Sequence, residues 1–164
     1  MLKRIIKVLL VLSLFILFIP TYNKYKLDMK VDEVILSKDS NITSIYEGYI
    51  YIPKYNYKNL IKKGDRAIDE NYVSMHKLSS SIGEGKNIIL SGHNNRYVFH
   101  KLYSIRVGDE IIISDFRHDF RYIVNEKRIV DVSDSSIFND ENRLTLITCT
   151  DDTQKRLVVI CIEK

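Results

Sequence analysis

The sequence is poor in the residues that define small disulfide-bonded or zinc-bound domains. Its 2 cysteines are too few for a disulfide scaffold and do not form the four-ligand pattern of a structural zinc site. With only 2 prolines and 6 glycines, the chain has little room for long flexible linkers. A composition that is 45% hydrophobic and 28% charged excludes disordered, collagen-like and low-complexity chains. The 164 residues are therefore expected to form one domain rather than two.

The excess of positive charge is confined to the N-terminal part of the chain. Residues 1–30 contain six basic residues and one acidic residue, whereas the net charge of the whole chain is only +4. The rest of the chain is therefore nearly neutral. A nucleic-acid-binding domain needs a basic face on the domain itself, so we expect no nucleic-acid partner.

The first twenty residues have the order of a signal sequence, with a basic segment followed by the apolar stretch 8–19. This stretch is apolar on every face, which argues against a buried amphipathic helix. The residues after Pro20 lack the small-residue pattern of a cleavage site. We therefore predict an uncleaved membrane anchor over residues 1–22, and cleaved secretion is the alternative.

The positive-inside rule then places the remainder of the chain outside the cell, as a single-pass protein of the cell membrane. Residues 23–45 are polar and predict a stalk that could be partly helical. The folded domain is expected over residues 46–164.

This domain has the pattern of an all-β protein, because short runs of β-branched and aromatic residues alternate with turn residues. No long stretch after the anchor shows strong helical periodicity. A closed or nearly closed barrel would leave no exposed strand edges. The predicted strands are 49–52, 86–91, 110–114, 120–132, 144–149 and 156–162. Short helical turns are predicted at 71–78, 99–103 and 133–138.

The last two predicted strands bring a cysteine next to an arginine. A short polar link joins them, which predicts an antiparallel hairpin. The simplest register pairs Cys149 with Arg156 and turns Cys161 to the opposite face, toward Leu144, so a disulfide between the two cysteines is not expected. A nearby cation favours the nucleophilic thiolate, and a guanidinium can stabilise an oxyanion. The alternative is that Cys149 is an inert, buried end of a strand.

A cysteine nucleophile needs an acid–base partner, and the chain has four histidines. His93 follows a buried strand, where loops often present catalytic groups, and Gly92 would allow a tight turn there. His118 is predicted at an exposed hairpin tip, and His100 lies in a helical turn. His76 either lines the same cleft or caps a helix end.

Together these motifs resemble the sortases, the cysteine transpeptidases of Gram-positive cell surfaces. The sortase nucleophile motif TLxTC matches residues 145–149, TLITC. The family's histidine follows a strand in a GH motif, as Gly92 and His93 do here, and its arginine opens the last strand, as Arg156 does. Segments 80–90 and 99–109 also resemble the family.

The resemblance implies an eight-stranded β-barrel with its active site near the last strands. Cys149 would attack the Thr-Gly bond of a Leu-Pro-x-Thr-Gly-like sorting signal and form a thioacyl enzyme. An amine of a peptidoglycan precursor of the cell wall, or a pilin lysine, would then resolve it. His93 would donate a proton to the leaving amine and activate the incoming one, while Arg156 would hold the substrate carbonyl and the oxyanion.

The residues expected to contact the sorting signal are Thr148, Ile147, Val158 and Asn94. No cofactor is expected; no distinct acidic cluster marks a calcium site, although the sequence does not exclude calcium, and Asp151 and Asp152 are interpreted as solvated turn residues. Two other functions remain open at this point. One is a related cysteine hydrolase at the cell surface that releases its acyl-enzyme to water, and the other is a non-enzymatic surface-binding barrel.

Overall fold

The computed structural model describes residues 2–37, 42–64 and 71–164. The chain divides into two compact units after Ser37. The first is a single helix, and the second is a β-barrel that carries the candidate site.

The N-terminal unit is helix α1, Leu2–Leu36, which continues through Pro20. Lys24 and Asp28 form an ion pair one turn apart on this helix. The helix therefore runs past residue 22, where the sequence places the end of the anchor, and the predicted stalk is helical as far as Leu36. In the part of the chain that the structure describes, no helix is long and apolar enough to cross a membrane.

The second unit is a closed β-barrel, as the sequence predicts, and its described part contains eight strands. The short helix α2, Ile42–Ile45, precedes it. In chain order the strands are β1 (Tyr46–Ile52), β2 (Tyr57–Lys62), β3 (Val73–Met75), β4 (Ile88–Ser91), β5 (Glu110–Ser114), β6 (Asp119–Asp131), β7 (Leu144–Cys149) and β8 (Lys155–Glu163). Around the barrel they follow the order β1-β2-β3-β4-β7-β8-β6-β5. The pairs β2–β3 and β4–β7 are parallel, whereas the other pairs are antiparallel.

The sequence locates most strands but misses two. Strand β2 was not predicted, because its lysines and a fully buried asparagine, Asn59, hide the apolar alternation. The helix predicted over 71–78 is wrong, since this segment contains β3. That strand has only three residues, all of them buried, and is too short to show a period. The helical turns predicted at 99–103 and 133–138 correspond to the 3-10 helices His100–Tyr103 and Ser136–Phe138.

Strands β7 and β8 are buried on both faces, which gives the residues at their ends a rigid support. Inward-facing residues such as Leu146 and Val159 join the main cluster inside the barrel. On the opposite face, Ile147 and Val158 belong to a second cluster with Ile137, from the segment between β6 and β7. This two-sided burial explains why the sequence of both strands is almost continuously apolar.

Candidate active site at the ends of strands β4, β7 and β8

The hairpin of β7 and β8 places a thiol beside a guanidinium. Cys149 and Arg156 are register partners, and Leu144 pairs with Cys161, so the register predicted from the sequence is confirmed. Both cysteines are free thiols; Cys149 is partly exposed, and Cys161 is fully buried. Burial raises the pKa of the Cys161 thiol. Of the two sulfurs, Cys149 is the one available for chemistry.

Parallel pairing of β4 with β7 brings His93 to the same end of the barrel. Ser91, the last residue of β4, is the register partner of Ile147. One residue further on, the Gly92 amide donates to the Ile147 carbonyl at 3.1 Å. The Thr148 hydroxyl donates to the Gly92 carbonyl at 2.8 Å. The chain just before His93 is thus fixed to the strand that ends in the cysteine.

Gly92 is required here by close packing rather than by an unusual turn. Its φ is not positive, so this glycine does not adopt the left-handed conformation that favours glycine in turns. A Cβ at this position would lie 2.5 Å from Cγ1 of Val98 and 3.0 Å from Cδ2 of Phe99. The segment after His93 therefore folds back directly over Gly92, and a side chain would push it away.

Cys149, His93 and Arg156 line one cavity of about 200 Å³. Ser91, Gly92, Ile147 and Thr148 form the rest of its wall. His93 is exposed, whereas the other two side chains are partly buried. The structure thus brings together an imidazole from the segment after β4 with a sulfur and a guanidinium from the β7–β8 hairpin, in one pocket open to solvent.

The loop between β7 and β8 holds the arginine. Nη1 of Arg156 donates to the carbonyls of Thr153 at 3.2 Å and Lys155 at 3.1 Å. Within the same loop, the Thr150 hydroxyl donates to Asp152 and lowers the pKa of that carboxyl. The loop is short and internally hydrogen-bonded, so its carbonyls hold the guanidinium in one orientation through Nη1.

A second cavity, of about 430 Å³, lies against the same sulfur and imidazole. In its wall, Nδ2 of Asn94 donates to Oδ1 of Asp151 at 2.6 Å, and Oδ1 of Asn94 lies 3.3 Å from Nδ1 of His100. These contacts join the loop after β4 to the loop before β8.

Tyr103 is a site residue for which the sequence gives no signal. Asp151 is an exposed turn residue, as predicted, but it also lines the second cavity. The Tyr103 hydroxyl donates to the carbonyl of Cys149 at 3.3 Å. Desolvation, followed by the negative charges of Asp151 and Asp152, raises the pKa of Tyr103. Tyr103 lies in the predicted turn 99–103, but nothing in that pattern indicates that the turn packs under the cysteine.

The four residues expected to contact a substrate differ in position. Ile147 lines the first cavity, and Asn94 lines the second. Thr148 also lines the first cavity, but it is only 2% exposed and its hydroxyl is bonded to Gly92. Val158, the register partner of Ile147, is completely buried and lines none of the three cavities around Cys149 and Arg156. The structure therefore does not support its expected contact with the sorting signal.

The other histidines occupy different surroundings. His76 stacks on Phe138 with ring centroids 5.0 Å apart. It lines a neighbouring cavity of about 380 Å³ that also includes Arg156, so the cleft alternative applies, and no helix is present for it to cap. His118 is exposed at the β5–β6 turn, as predicted, and Nδ1 lies 3.4 Å from a carboxylate oxygen of Asp115. Across the described residues, no three His, Cys, Asp or Glu side chains are grouped as metal ligands.

Comparisons with known proteins agree on one family. The Sortase domain family matches residues 50–163, which include Cys149, His93 and Arg156. YwpE of Bacillus subtilis, which is named as a sortase, is 38% identical over 85 residues, covering 48% of this chain and 82% of YwpE. Sortase A of Listeria monocytogenes is 27% identical over 120 residues, covering 69% of this chain. This chain spans 54% of that relative's length.

Solved structures give the same result for the fold. The crystal structure of Listeria monocytogenes sortase A superposes with a TM-score of 0.67 at 25% identity, covering 73% of this chain and 88% of that one. The Sortase D5 transpeptidase of Clostridium perfringens has a TM-score of 0.69 at 24% identity, covering 83% and 94%. With the family match over residues 50–163, these findings show that the chain belongs to the sortase family of cysteine transpeptidases.

Proposed function

We propose that this protein cleaves a Leu-Pro-x-Thr-Gly-like sorting signal through a thioacyl enzyme and transfers the acyl group to an amine. The observation that supports this most strongly is the cavity shared by Cys149, His93 and Arg156. Each side chain has a separate task there. Cys149 is the last residue of β7, Arg156 is the second residue of β8, and His93 lies two residues after the end of β4.

The sulfur of Cys149 attacks the carbonyl carbon of the Thr-Gly bond. Arg156 stabilises the negative charge that develops on the carbonyl oxygen, because its guanidinium stays charged and donates from a rigid fork. His93 gives a proton to the leaving amine, so that the C–N bond breaks as the C–S bond is established. In the second half of the reaction, the same imidazole takes a proton from the incoming amine.

The cavity on the Arg156 side fits the peptide that precedes the scissile bond. Its walls include the apolar side chains of Ile137, Phe138, Val132 and Ile147. A sorting signal that begins with Leu-Pro presents apolar surface next to the carbonyl under attack. We place these residues of the signal against this wall, with Arg156 at the junction between the two cavities.

We further propose that residues 1–22 anchor the protein in the cell membrane, with the barrel outside the cell. The basic segment and the apolar stretch 8–19 support this orientation. The acceptor would be a peptidoglycan precursor or a pilin lysine, both of which are available at the outer face of the membrane.

The proposal is tested by trapping the acyl-enzyme. Full-length protein mixed with a sorting-signal peptide should gain the mass of the acyl fragment, and the gain should be reversed by a thiol nucleophile. Cys149→Ala should show no gain. The matched control is Cys161→Ala, which removes the buried thiol and should acylate at nearly the rate of the parent.

Adding an amine distinguishes transfer from hydrolysis. A transpeptidase yields the amide product in proportion to the amine, whereas a hydrolase yields only the acid. Acylation of the Cys149→Ala variant, or an acid product unaffected by amine, would contradict the proposal.

A further inference from the structure

The cavity beside Asn94 and Asp151 differs in charge from the cavities on the other side of Cys149. Arg156 lines both cavities on its own side. The 430 Å³ cavity is lined instead by His93, Cys149, two asparagines, two threonines and Asp151. The 380 Å³ cavity on the Arg156 side also includes Lys77 and Asp131, so cations outnumber carboxylates there. The reacting sulfur and imidazole therefore lie between a side with an excess of positive charge and a side with a carboxylate.

This difference suits a reaction with two unlike partners. The carbonyl that is attacked develops negative charge and needs a cation. An amine acceptor arrives as an ammonium at neutral pH and is attracted by a carboxylate, while the neutral amides and hydroxyls can accept or donate hydrogen bonds at modest desolvation cost. The arrangement therefore matches the attacked carbonyl to the Arg156 side and the amine acceptor to the Asp151 side.

We propose that the 430 Å³ cavity is the subsite for the amine acceptor and that Asp151 is its electrostatic anchor. This inference rests on the proposed transpeptidase function. It assigns the cavity to a class of ligand, a primary amine that carries positive charge, and it gives Asp151 a role in binding rather than in the chemical step.

Asn94 holds the anchor in place. Its Nδ2 donates to Oδ1 of Asp151 at 2.6 Å, while its own Oδ1 faces Nδ1 of His100 at 3.3 Å. The carboxylate keeps a second oxygen, Oδ2, that can accept from an ammonium. Asn94 follows His93 directly. Its hydrogen bond to Asp151 therefore links the carboxylate to the short segment that carries the imidazole.

The transfer step then proceeds as follows. The ammonium loses one proton to solvent, and the free amine nitrogen attacks the thioacyl carbon. The C–N bond forms, the C–Sγ bond breaks with its electron pair remaining on Cys149, and the second amine proton passes to His93. Asp151 takes no proton in this sequence, so its removal should weaken amine binding more than turnover.

The test compares Asp151→Asn with the parent, using full-length protein, the sorting-signal peptide and two acceptors. A short lysine peptide is the cationic acceptor, and hydroxylamine is the uncharged one. Asparagine is isosteric with aspartate and can still accept from Asn94, so the substitution removes only charge. Asp140→Asn is the matched control, because it makes the same change in net charge at an exposed residue that lines neither this cavity nor its neighbours.

Asp151→Asn should raise the KM for the lysine peptide about two- to five-fold at low salt, the range of an exposed ion pair. The effect should shrink at about 1 M salt, where charges are screened within roughly 3 Å. The KM for hydroxylamine and the rate of acyl-enzyme formation should stay at the parent's values. Equal effects on both acceptors, or equal effects of Asp140→Asn, would overturn the inference and leave the transpeptidase intact. A parent protein that forms no acyl-enzyme would overturn both.

Discussion

At the residue scale, the two cysteines lie in opposite environments, and only Cys149 belongs to the site. Cys149 ends a strand at a cavity, whereas Cys161 is completely buried inside the barrel. Only the thiolate form of a cysteine reacts with electrophiles, and burial raises the pKa of Cys161. The register predicted from the sequence already separates the two cysteines, because it places Cys149 beside Arg156 and turns Cys161 to the opposite face. The exposure of each thiol depends on long-range packing, which the sequence does not show.

A thiol-reactive probe should therefore modify the folded protein once, at Cys149. Cys161 should react only after denaturation, because it has neither access nor a thiolate. Peptide mass mapping of native and denatured samples measures this difference. Comparable labelling of both cysteines in the native state would support the interpretation of Cys149 as an inert packing residue.

Gly92 is a further residue on which the geometry of the site depends. A Cβ there would lie 2.5 Å from Val98, so Gly92→Ala should lower the free energy of unfolding by about 1–3 kcal/mol through overpacking. Chemical denaturation measures the loss. In the double variant with Val98→Ala, the smaller neighbour makes room, so the combined loss should be less than the sum of the two single losses. Strict additivity would show that the contact is not the cause.

At the scale of elements, the hairpin could be predicted from the sequence and the position of the histidine could not. The short polar link between 144–149 and 156–162 fixes a local register, so the partner of Cys149 follows from counting. His93 reaches the site through the parallel pairing of β4 with β7, a long-range contact with no local signal. The contact of Tyr103 with the Cys149 carbonyl and the place of Asp151 in a cavity wall have no local signal for the same reason, because both depend on packing between loops.

Asn87 joins three elements beside the 380 Å³ cavity that Ile137 lines. Its Nδ2 donates to the carbonyls of Ile137 at 3.1 Å and Asn139 at 2.9 Å, and its Oδ1 accepts from the Thr145 hydroxyl at 2.8 Å. The side chain is 3% exposed. It therefore ties the segment between β6 and β7 to strands β4 and β7.

Asn87→Ala should loosen this segment, because the Asn139 carbonyl loses its Asn87 donor and the Ile137 carbonyl keeps only the donor from Arg143. An unsatisfied group of this kind costs about 1–3 kcal/mol. Hydrogen exchange of the amides in residues 132–143 should accelerate, while exchange in β5 and β6 stays slow. Thr145→Val is the matched control, since it removes one bond of the same network but leaves both carbonyls paired. If both variants exchange at the parent's rate, Asn87 does not hold the segment.

At the scale of the whole molecule, several ion pairs lie on the β5 side of the closed barrel. Lys54, in the 3-10 helix Pro53–Tyr55, donates to Asp109 at 2.9 Å. Burial would by itself raise the pKa of Asp109, but the Lys54 ammonium and the backbone amide of Arg106 lower it overall. The pKa of Glu110 is likewise lowered by Lys164 and Arg121 against its desolvation.

Carboxyls with lowered pKa values make stability depend on acid pH. Their contribution is present above the unfolded pKa of about 4 and is lost as the pH falls through the lower folded value. Thermal unfolding should therefore shift to lower temperature below about pH 4, and Asp109→Asn should flatten this dependence. A Tm that stays constant between neutral pH and pH 3 would contradict the assignment.

The parallel contact between β4 and β7 also has a consequence for how the chain matures. Its register partners, Ser91 and Ile147, are separated by about half of the barrel sequence, and contacts of that kind form late because a long loop must be ordered first. A nascent or partly folded chain thus has its thiol and imidazole far apart. Newly synthesised molecules would therefore have no assembled active site until the last strands are in place.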